Sequence, residues 1–202
     1  MASKRILLPI LDPSIPTIQS KPISSTHLGT AYELITLSLL SSPPYDYTLV
    51  RVGGANDKGI DLRGRCTLPP PPSSSISPKS SLNSFRSLDV LVQCKSSSTL
   101  VRPAIIREFE GVLQNVSHQS SLRRPMGILV ALNGFSKETL NRGLESQWPL
   151  SLVHFKVARE RLQLDEHGTN LPKFEGIRGE EGEVIGWYRN QAWKDMMGDE
   201  TR

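Results

Sequence analysis

The chain has 202 residues, of which 37% are hydrophobic and 22% charged, and its formal net charge is +4. This length is enough for one domain with a sizeable core plus extensions, and no apolar run approaches the ~20 residues of a membrane-spanning helix. Two cysteines are too few for a secreted disulfide framework or a cysteine zinc site, so we expect a reducing, intracellular compartment and no membrane partner.

The charge is unevenly distributed along the chain. Residues 165–202 hold nine acidic and five basic side chains, a net charge of −4, which leaves +8 for residues 1–164. A basic body with an acidic tail is typical of domains that bind polyanions, although many proteins of this charge bind no nucleic acid.

The first elements are a basic arm and a helix. Residues 1–25 are serine-rich and interrupted by prolines, which predicts a flexible N-terminal arm and is compatible with the remnant of a transit peptide. A helix is predicted over 26–40, because apolar residues recur there at helical spacing; Ser25 or Thr26 would cap it, and two prolines follow it. Glu33 lies in the middle of this helix, between apolar neighbours.

Two strands and a low-complexity segment follow. Strands are predicted over 47–52 and 60–65, joined by a turn at 53–59 whose glycine, asparagine and aspartate residues tolerate positive φ. Residues 67–87 are rich in proline and serine and contain too few apolar residues to order themselves. We therefore interpret them as a surface insert within a hairpin.

The second half alternates strands and helices. Its predicted elements are a strand over 88–94, a helix from 103 to about 117, a strand over 126–132, a helix capped by Ser136, and a strand over 150–157. The full order, α-β-β-β-α-β-α-β, predicts an α/β protein, with a mixed sheet flanked by helices in one domain over 26–157. Residues 158–202 form an acidic C-terminal extension in which 184–188 is the one segment apolar enough to pack.

Four polar residues on the predicted elements have the spacing of a site. Residues i and i+2 of a strand share a face, so Gln93 and Lys95 point into one cleft while Cys94 points to the other side. Asp61, on the neighbouring strand, can lie across from them. A carboxylate at Glu33 within an apolar stretch needs a partner, and we expect that partner to be a metal ion or Lys95.

The order and type of these residues resemble a known superfamily of nucleases. The matching segments are Gly29-Thr30-Ala31-Tyr32-Glu33, Asp57-Lys58-Gly59-Ile60-Asp61 and Val92-Gln93-Cys94-Lys95, followed by the apolar strand 127–130 and Gly134-Phe135-Ser136-Lys137. Over residues 28–156 the chain resembles the PD-(D/E)XK, or restriction-endonuclease-like, superfamily and its Mrr-type branch. More narrowly, it resembles a fungal mitochondrial family named for being required for respiratory growth.

This resemblance implies roles for the four residues. Glu33, Asp61, Gln93 and Lys95 would be catalytic, with Mg²⁺ or Mn²⁺ held by Asp61, Gln93, Glu33 and the main-chain carbonyl of Cys94, and with Lys95 beside the attacking water. Gln93 stands where many members have a glutamate. Because an amide oxygen brings no charge, we expect weaker metal binding than with glutamate.

The resemblance further implies a metal-dependent DNA nuclease of the mitochondrial matrix. Its nucleic-acid contacts are predicted at Lys58, Arg63, Arg102, Ser136 and Lys137, and the alternative for Ser136 is a plain helix N-cap. Two other functions stay open: a non-catalytic DNA-binding or scaffold protein on the same fold, and an RNA-processing nuclease. A homodimer is also open, since many relatives act as dimers.

Overall fold

The computed structural model describes residues 24–54, 59–68, 86–120, 124–158, 161–162 and 182–198. Most of the predicted arm over 1–25 and of the predicted insert over 67–87 lies outside these ranges, as do Asp57 and Lys58. The helices and strands are α1 (Ser25–Leu40), β1 (Thr48–Arg51), β2 (Leu62–Leu68), β3 (Arg86–Lys95), α2 (Pro103–Ser120), β4 (Met126–Ala131), α3 (Lys137–Leu144), β5 (Leu150–Lys156), β6 (Glu183–Arg189) and α4 (Gln191–Met197).

The strands form one mixed sheet in the order β1-β2-β3-β4-β5-β6. Strand β2 pairs antiparallel with β1 and β3, the pairs β3–β4 and β4–β5 are parallel, and β6 returns antiparallel to β5. The predicted order of the first eight elements and the mixed sheet flanked by helices are confirmed. Within the described ranges, no helix is both long and apolar enough to cross a bilayer.

Helix α1 begins at Ser25, one residue earlier than predicted. The Ser24 side chain accepts a hydrogen bond from the His27 N–H (3.2 Å), so Ser24 is the N-cap and Ser25 is already helical. The buried side of the helix packs on the sheet, and there the Tyr32 hydroxyl donates to the Phe155 carbonyl (2.9 Å). This packing fixes the position of Glu33, which follows Tyr32 in the same turn.

The sheet has a core on each face because the side chains of its strands alternate. In β3, Val90 and Val92 pack in the cluster on the side of α1 and α4, while Leu91 packs in the cluster on the side of α2 and α3. Cys94 therefore faces α1, and Gln93 and Lys95 follow Leu91 toward the side of α2. The prediction that the Cys94 side chain points away from those of Gln93 and Lys95 agrees with this alternation.

Part of the C-terminal extension belongs to the sheet. The segment predicted to pack, 184–188, lies in β6, which pairs with β5, and Trp193 of α4 is only 1% exposed. Sequence reasoning missed both the sixth strand and α4, because neither has a strong apolar pattern of its own. Whether residues 26–157 form a domain without them stays a prediction.

Candidate metal and nucleic-acid site

Asp61 is held at the point where β2 begins. Its N–H donates to the Val92 carbonyl (2.9 Å), and its Oδ2 accepts a hydrogen bond from the Cys94 N–H (2.6 Å). The carboxylate thus satisfies a backbone donor at the end of the β2–β3 ladder, where a strand carbonyl would otherwise be needed. Asp61 is buried, but a carboxylate has room for further ligands on both oxygens.

The carboxylates of Glu33 and Asp61 face the same point, the Cα of Gly53. A methyl group on Gly53 would lie 2.9 Å from Glu33 Oε2 and 3.4 Å from Asp61 Oδ1. Residue 53 follows β1, and its N–H donates to the Asp61 carbonyl (3.0 Å), which fixes the loop against the site. The close approach explains why a residue without a side chain stands here.

Glu33 pairs with Arg51, which the sequence analysis did not predict, while a metal ion as its partner stays a prediction. Arg51 Nε lies 2.6 Å from Glu33 Oε2, and Arg51 Nη2 lies 3.4 Å from the Thr30 hydroxyl. Arg51 ends β1 and shares a face with the buried Leu49, so strand alternation directs it toward α1. The alternation gives the face on which Arg51 lies, but it does not identify Glu33 as the residue that Arg51 meets.

Gln93 lies on the α2 side of β3, and its amide reaches Gly59. A methyl group on Gly59 would lie 2.9 Å from Gln93 Nε2 and 3.9 Å from Val112 of α2, and the positive φ of 79° also favours glycine there. Gln93 is buried, and its Oε1 has no hydrogen-bond partner among the described residues. An unpaired buried acceptor is costly, so this oxygen is suited to a ligand.

The thiol of Cys94 lies within the electrostatic influence of three predicted site residues. Burial raises its pKa well above the ordinary value, and the charges of Asp61 and Glu33 raise it further, while Lys95 lowers it. The Cys94 N–H donates to Asp61 and Lys95 is the next residue of the chain, so both residues belong to this strand end. Lys95 is half-buried there, at the last position of β3.

The main-chain carbonyl of Cys94 points to the same side as Asp61. The Lys95 carbonyl accepts from the Leu132 N–H (2.9 Å), toward β4, and the Cys94 N–H donates to Asp61 on the opposite side. Because backbone groups of one strand residue point to one side, the Cys94 carbonyl also points toward Asp61. This direction is the one that its predicted role requires.

The residues at this strand end fit a hard divalent cation. The predicted ligands, which are the side chains of Glu33, Asp61 and Gln93 and the Cys94 carbonyl, are all oxygen donors, which Mg²⁺ prefers, and the unpaired Gln93 Oε1 is the specific observation in favour of a bound ion. In the part of the chain that the structure describes, no group of three His, Cys, Asp or Glu residues is arranged to hold a metal. The amide and main-chain oxygens would therefore have to complete the ligand set.

Three of the predicted nucleic-acid residues lie together beyond the ends of β3 and β4. A bridge between Val101 and Phe135 brings Arg102 next to Ser136 and Lys137. Arg102 and Lys137 are exposed, whereas the Ser136 hydroxyl accepts from the Thr139 N–H (3.3 Å) as the N-cap of α3. Lysine 58 lies outside the described residues, so its prediction stays open.

Arg63 lines a groove on strands β1, β2 and β3. Side chains of β1, β2 and β3 line a groove of about 730 Å³, which we call the open-face groove; it is lined by Thr48, Val50, Arg63, Gly64, Arg65, Thr67, Ser87 and Asp89. Its arginines and hydroxyl groups are donors to anions, although Asp89 pairs with Arg65 at 3.6 Å. The groove begins two residues along β2 from Asp61.

Comparisons with known proteins place the chain among fungal mitochondrial proteins. A model of the family described as Required for respiratory growth protein 7 matches residues 24–197. The mitochondrial protein of that name from Saccharomyces cerevisiae strain S288c is 26% identical over 203 aligned positions, 87% of this chain and 80% of its own length. An uncharacterized mitochondrial protein of Schizosaccharomyces pombe is 30% identical over 139 positions, 68% of this chain. The chain spans only 49% of that relative.

Two solved structures are similar to the chain. One is the MspJI restriction endonuclease in complex with a 27-mer oligonucleotide, with 17% identity, a TM-score of 0.41, and coverage of 63% of this chain and 25% of that chain. The other is the DNA modification-dependent restriction endonuclease AspBHI, with 14% identity, a TM-score of 0.37, and coverage of 80% and 39%.

Proposed function

This chain belongs to the Required for respiratory growth protein 7 family, and from that premise and the geometry of the strand end we propose that it is a metal-dependent DNA nuclease. The observations that support this most are the approach of the Glu33 and Asp61 carboxylates to Gly53 and, on the neighbouring strand β3, the buried and unpaired Gln93 oxygen. On this proposal the core is restriction-endonuclease-like and of the PD-(D/E)XK type, with Glu33, Asp61, Gln93 and Lys95 as the catalytic set.

The ligands would be the side-chain oxygens of Asp61, Gln93 and Glu33 and the main-chain carbonyl of Cys94. A bound Mg²⁺ or Mn²⁺ would neutralise phosphate charge and lower the pKa of a bound water. Asp61 is already oriented by the Cys94 N–H, so little ordering is needed at this position. Lys95 would place a cation beside the attacking water and the phosphate, where negative charge develops.

The surroundings of the site support a polyanionic substrate. Arg102 and Lys137 are exposed where β3 and β4 end, and Arg63 lines the open-face groove beside β2. Cations on both sides of a strand end can bind the phosphates of one backbone without reading its bases. Since the curated relatives are named as mitochondrial, we propose mitochondrial DNA as the substrate and the mitochondrion as the location.

The first prediction concerns cleavage. Replacing Asp61 with Asn, or Lys95 with Ala, should lower the rate of Mg²⁺-dependent DNA cleavage at least ~100-fold, because each change removes a charge next to the reacting phosphate. Cleavage is measured on a labelled duplex and on a labelled single strand, with Mg²⁺ and with EDTA. Circular dichroism should show that both variants keep the fold.

Matched controls lie on α4, away from this strand end. Asp195→Asn and Lys194→Ala make the same charge changes there, and we expect both to cut like the wild type. Equal cutting by the wild type and both site variants would contradict the proposal. DNA binding without cutting would favour the scaffold function, and preferential cutting of RNA would favour an RNA-processing nuclease.

A further inference from the structure

The guanidinium of Arg51 holds the Glu33 carboxylate through one short contact. The Nε–Oε2 distance is 2.6 Å, and the second contact, from Nη2 to the Thr30 hydroxyl, is long at 3.4 Å. The remaining N–H donors of the guanidinium are not needed for this contact. The Arg51 side chain is 32% exposed, so water can solvate the guanidinium if it leaves Glu33.

Arg51 has an electrostatic task in the absence of a metal ion. The Glu33 and Asp61 carboxylates both approach Gly53, so two negative charges lie near the same residue and repel each other. Asp61 is fixed by a backbone N–H, whereas Glu33, only 15% exposed, has Arg51 as its ion-pair partner. The positive charge of Arg51 therefore stabilises the Glu33 carboxylate, which lies near the carboxylate of Asp61.

We propose that Arg51 is the counter-cation of the metal-free site and competes with a divalent cation for the Glu33 carboxylate. This inference rests on the proposed function, because it takes Glu33 as a metal ligand. A cation bound to Glu33 and Asp61 repels the guanidinium, so binding of the ion must displace or weaken the Arg51–Glu33 contact. Arg51 is thus a positioning residue that sets the metal affinity of the site.

Metal binding without DNA tests this competition. The whole 202-residue chain is titrated with Mn²⁺, and free Mn²⁺ is followed by electron paramagnetic resonance. Arg51→Gln should tighten the dissociation constant about fivefold, which is ~1 kcal/mol, because the competing charge is gone. Arg51→Lys keeps the charge and should stay within about twofold of the wild type.

A matched control exists on the other side of the sheet. Arg142 of α3 pairs with Glu110 of α2 (2.8 Å), and Arg142→Gln removes the same charge. We expect its Mn²⁺ affinity to equal that of the wild type, because the Arg142–Glu110 pair belongs to a different cluster of charges.

Thermal unfolding gives a second readout. In EDTA, Arg51→Gln should lower the melting temperature, because Glu33 loses its counter-charge, and saturating Mn²⁺ should raise it by more than it raises that of the wild type. A purely structural ion pair would instead give a melting temperature that stays low in both conditions, and that result would overturn the proposal.

The failures of the two proposals can be told apart. Wild-type protein that binds no Mn²⁺, or whose binding is unchanged by Asp61→Asn, contradicts the proposed function and this inference together. Binding that depends on Asp61 but is unchanged or weakened in Arg51→Gln overturns the competition alone.

Discussion

Gly53 shows how one missing side chain permits the site. The space next to its Cα is taken by the carboxylates of Glu33 and Asp61, which come from helix α1 and from the start of β2. The φ angle of Gly53 is not in the left-handed region, so glycine is needed here for proximity and not for backbone conformation. Any larger residue must push one carboxylate away.

The resulting prediction is Gly53→Ala. The added methyl group meets the end of the flexible Glu33 side chain, so the free energy of unfolding should change by less than ~1 kcal/mol. The displaced carboxylate should weaken Mn²⁺ binding about tenfold, because ligand position controls affinity. Both quantities are measured on the same preparation, by denaturation and by Mn²⁺ titration.

The neighbouring glycine is the control for this change. A methyl group on Gly54 would meet no atom of the described residues within 4 Å, so Gly54→Ala should leave both stability and Mn²⁺ affinity as in the wild type. If Gly53→Ala binds Mn²⁺ as tightly as Gly54→Ala, either Glu33 is not a metal ligand or its carboxylate can bind the ion from another position.

At the scale of elements, Asn190 joins the C-terminal elements to the rest of the sheet. Its side-chain oxygen accepts from the N–H groups of Leu150 (3.1 Å) and Trp193 (2.9 Å). Asn190 thereby binds the first residue of β5 and also serves as the N-cap of α4. The two N–H donors of its amide group lie within hydrogen-bonding distance of three carbonyls, those of Gly143 (3.3 Å), Ser146 (2.9 Å) and Trp148 (2.7 Å). Asn190 is 2% exposed, so water cannot replace these bonds.

Asn190→Ala should therefore lower the free energy of unfolding by about 2–4 kcal/mol, because it leaves several buried backbone groups without partners. Urea denaturation followed by circular dichroism measures the change. Gln191→Ala is the control: the Gln191 side chain donates to the exposed Asp195 (2.7 Å), and its removal should cost less than about 0.5 kcal/mol. A loss below ~1 kcal/mol for Asn190→Ala would show that the junction is not held by this residue.

At the scale of the whole molecule, the question is whether the sheet can exist without its last strand. Strand β5 carries Val153 and Phe155, both fully buried, and β6 pairs along it. Trp193 of α4 belongs to the same core cluster as α1 and β3. Removing β6 and α4 would turn β5 into an exposed apolar edge and would open this cluster.

A chain truncated after Ala158 should therefore fail to fold cooperatively. The loss of Trp193 alone is worth about 3–5 kcal/mol, a large part of the 5–15 kcal/mol that stabilises a typical domain. The control is truncation after Gly198, which keeps α4 and should unfold like the full chain. Cooperative unfolding of the shorter chain at the same denaturant midpoint would show that residues 26–157 are a domain by themselves.

The sequence by itself determined the order of the first eight elements and the mixed sheet, because helical spacing and apolar strand runs are local patterns. It also determined that Gln93 and Lys95 share a face opposite to Cys94, since side chains alternate along any strand. Their roles in binding metal and in catalysis stay predictions, which only the binding and cleavage measurements decide.

Only the tertiary structure decided which charged groups meet. The Arg51–Glu33 pair joins residues 18 positions apart, and the Cys94 N–H meets the Asp61 carboxylate across 33 positions. Asn190 bonds to Leu150 across 40 positions, and this bond holds the weakly apolar strand β6 against β5. Such contacts depend on how packed elements approach each other, and no periodicity within a single element encodes that distance.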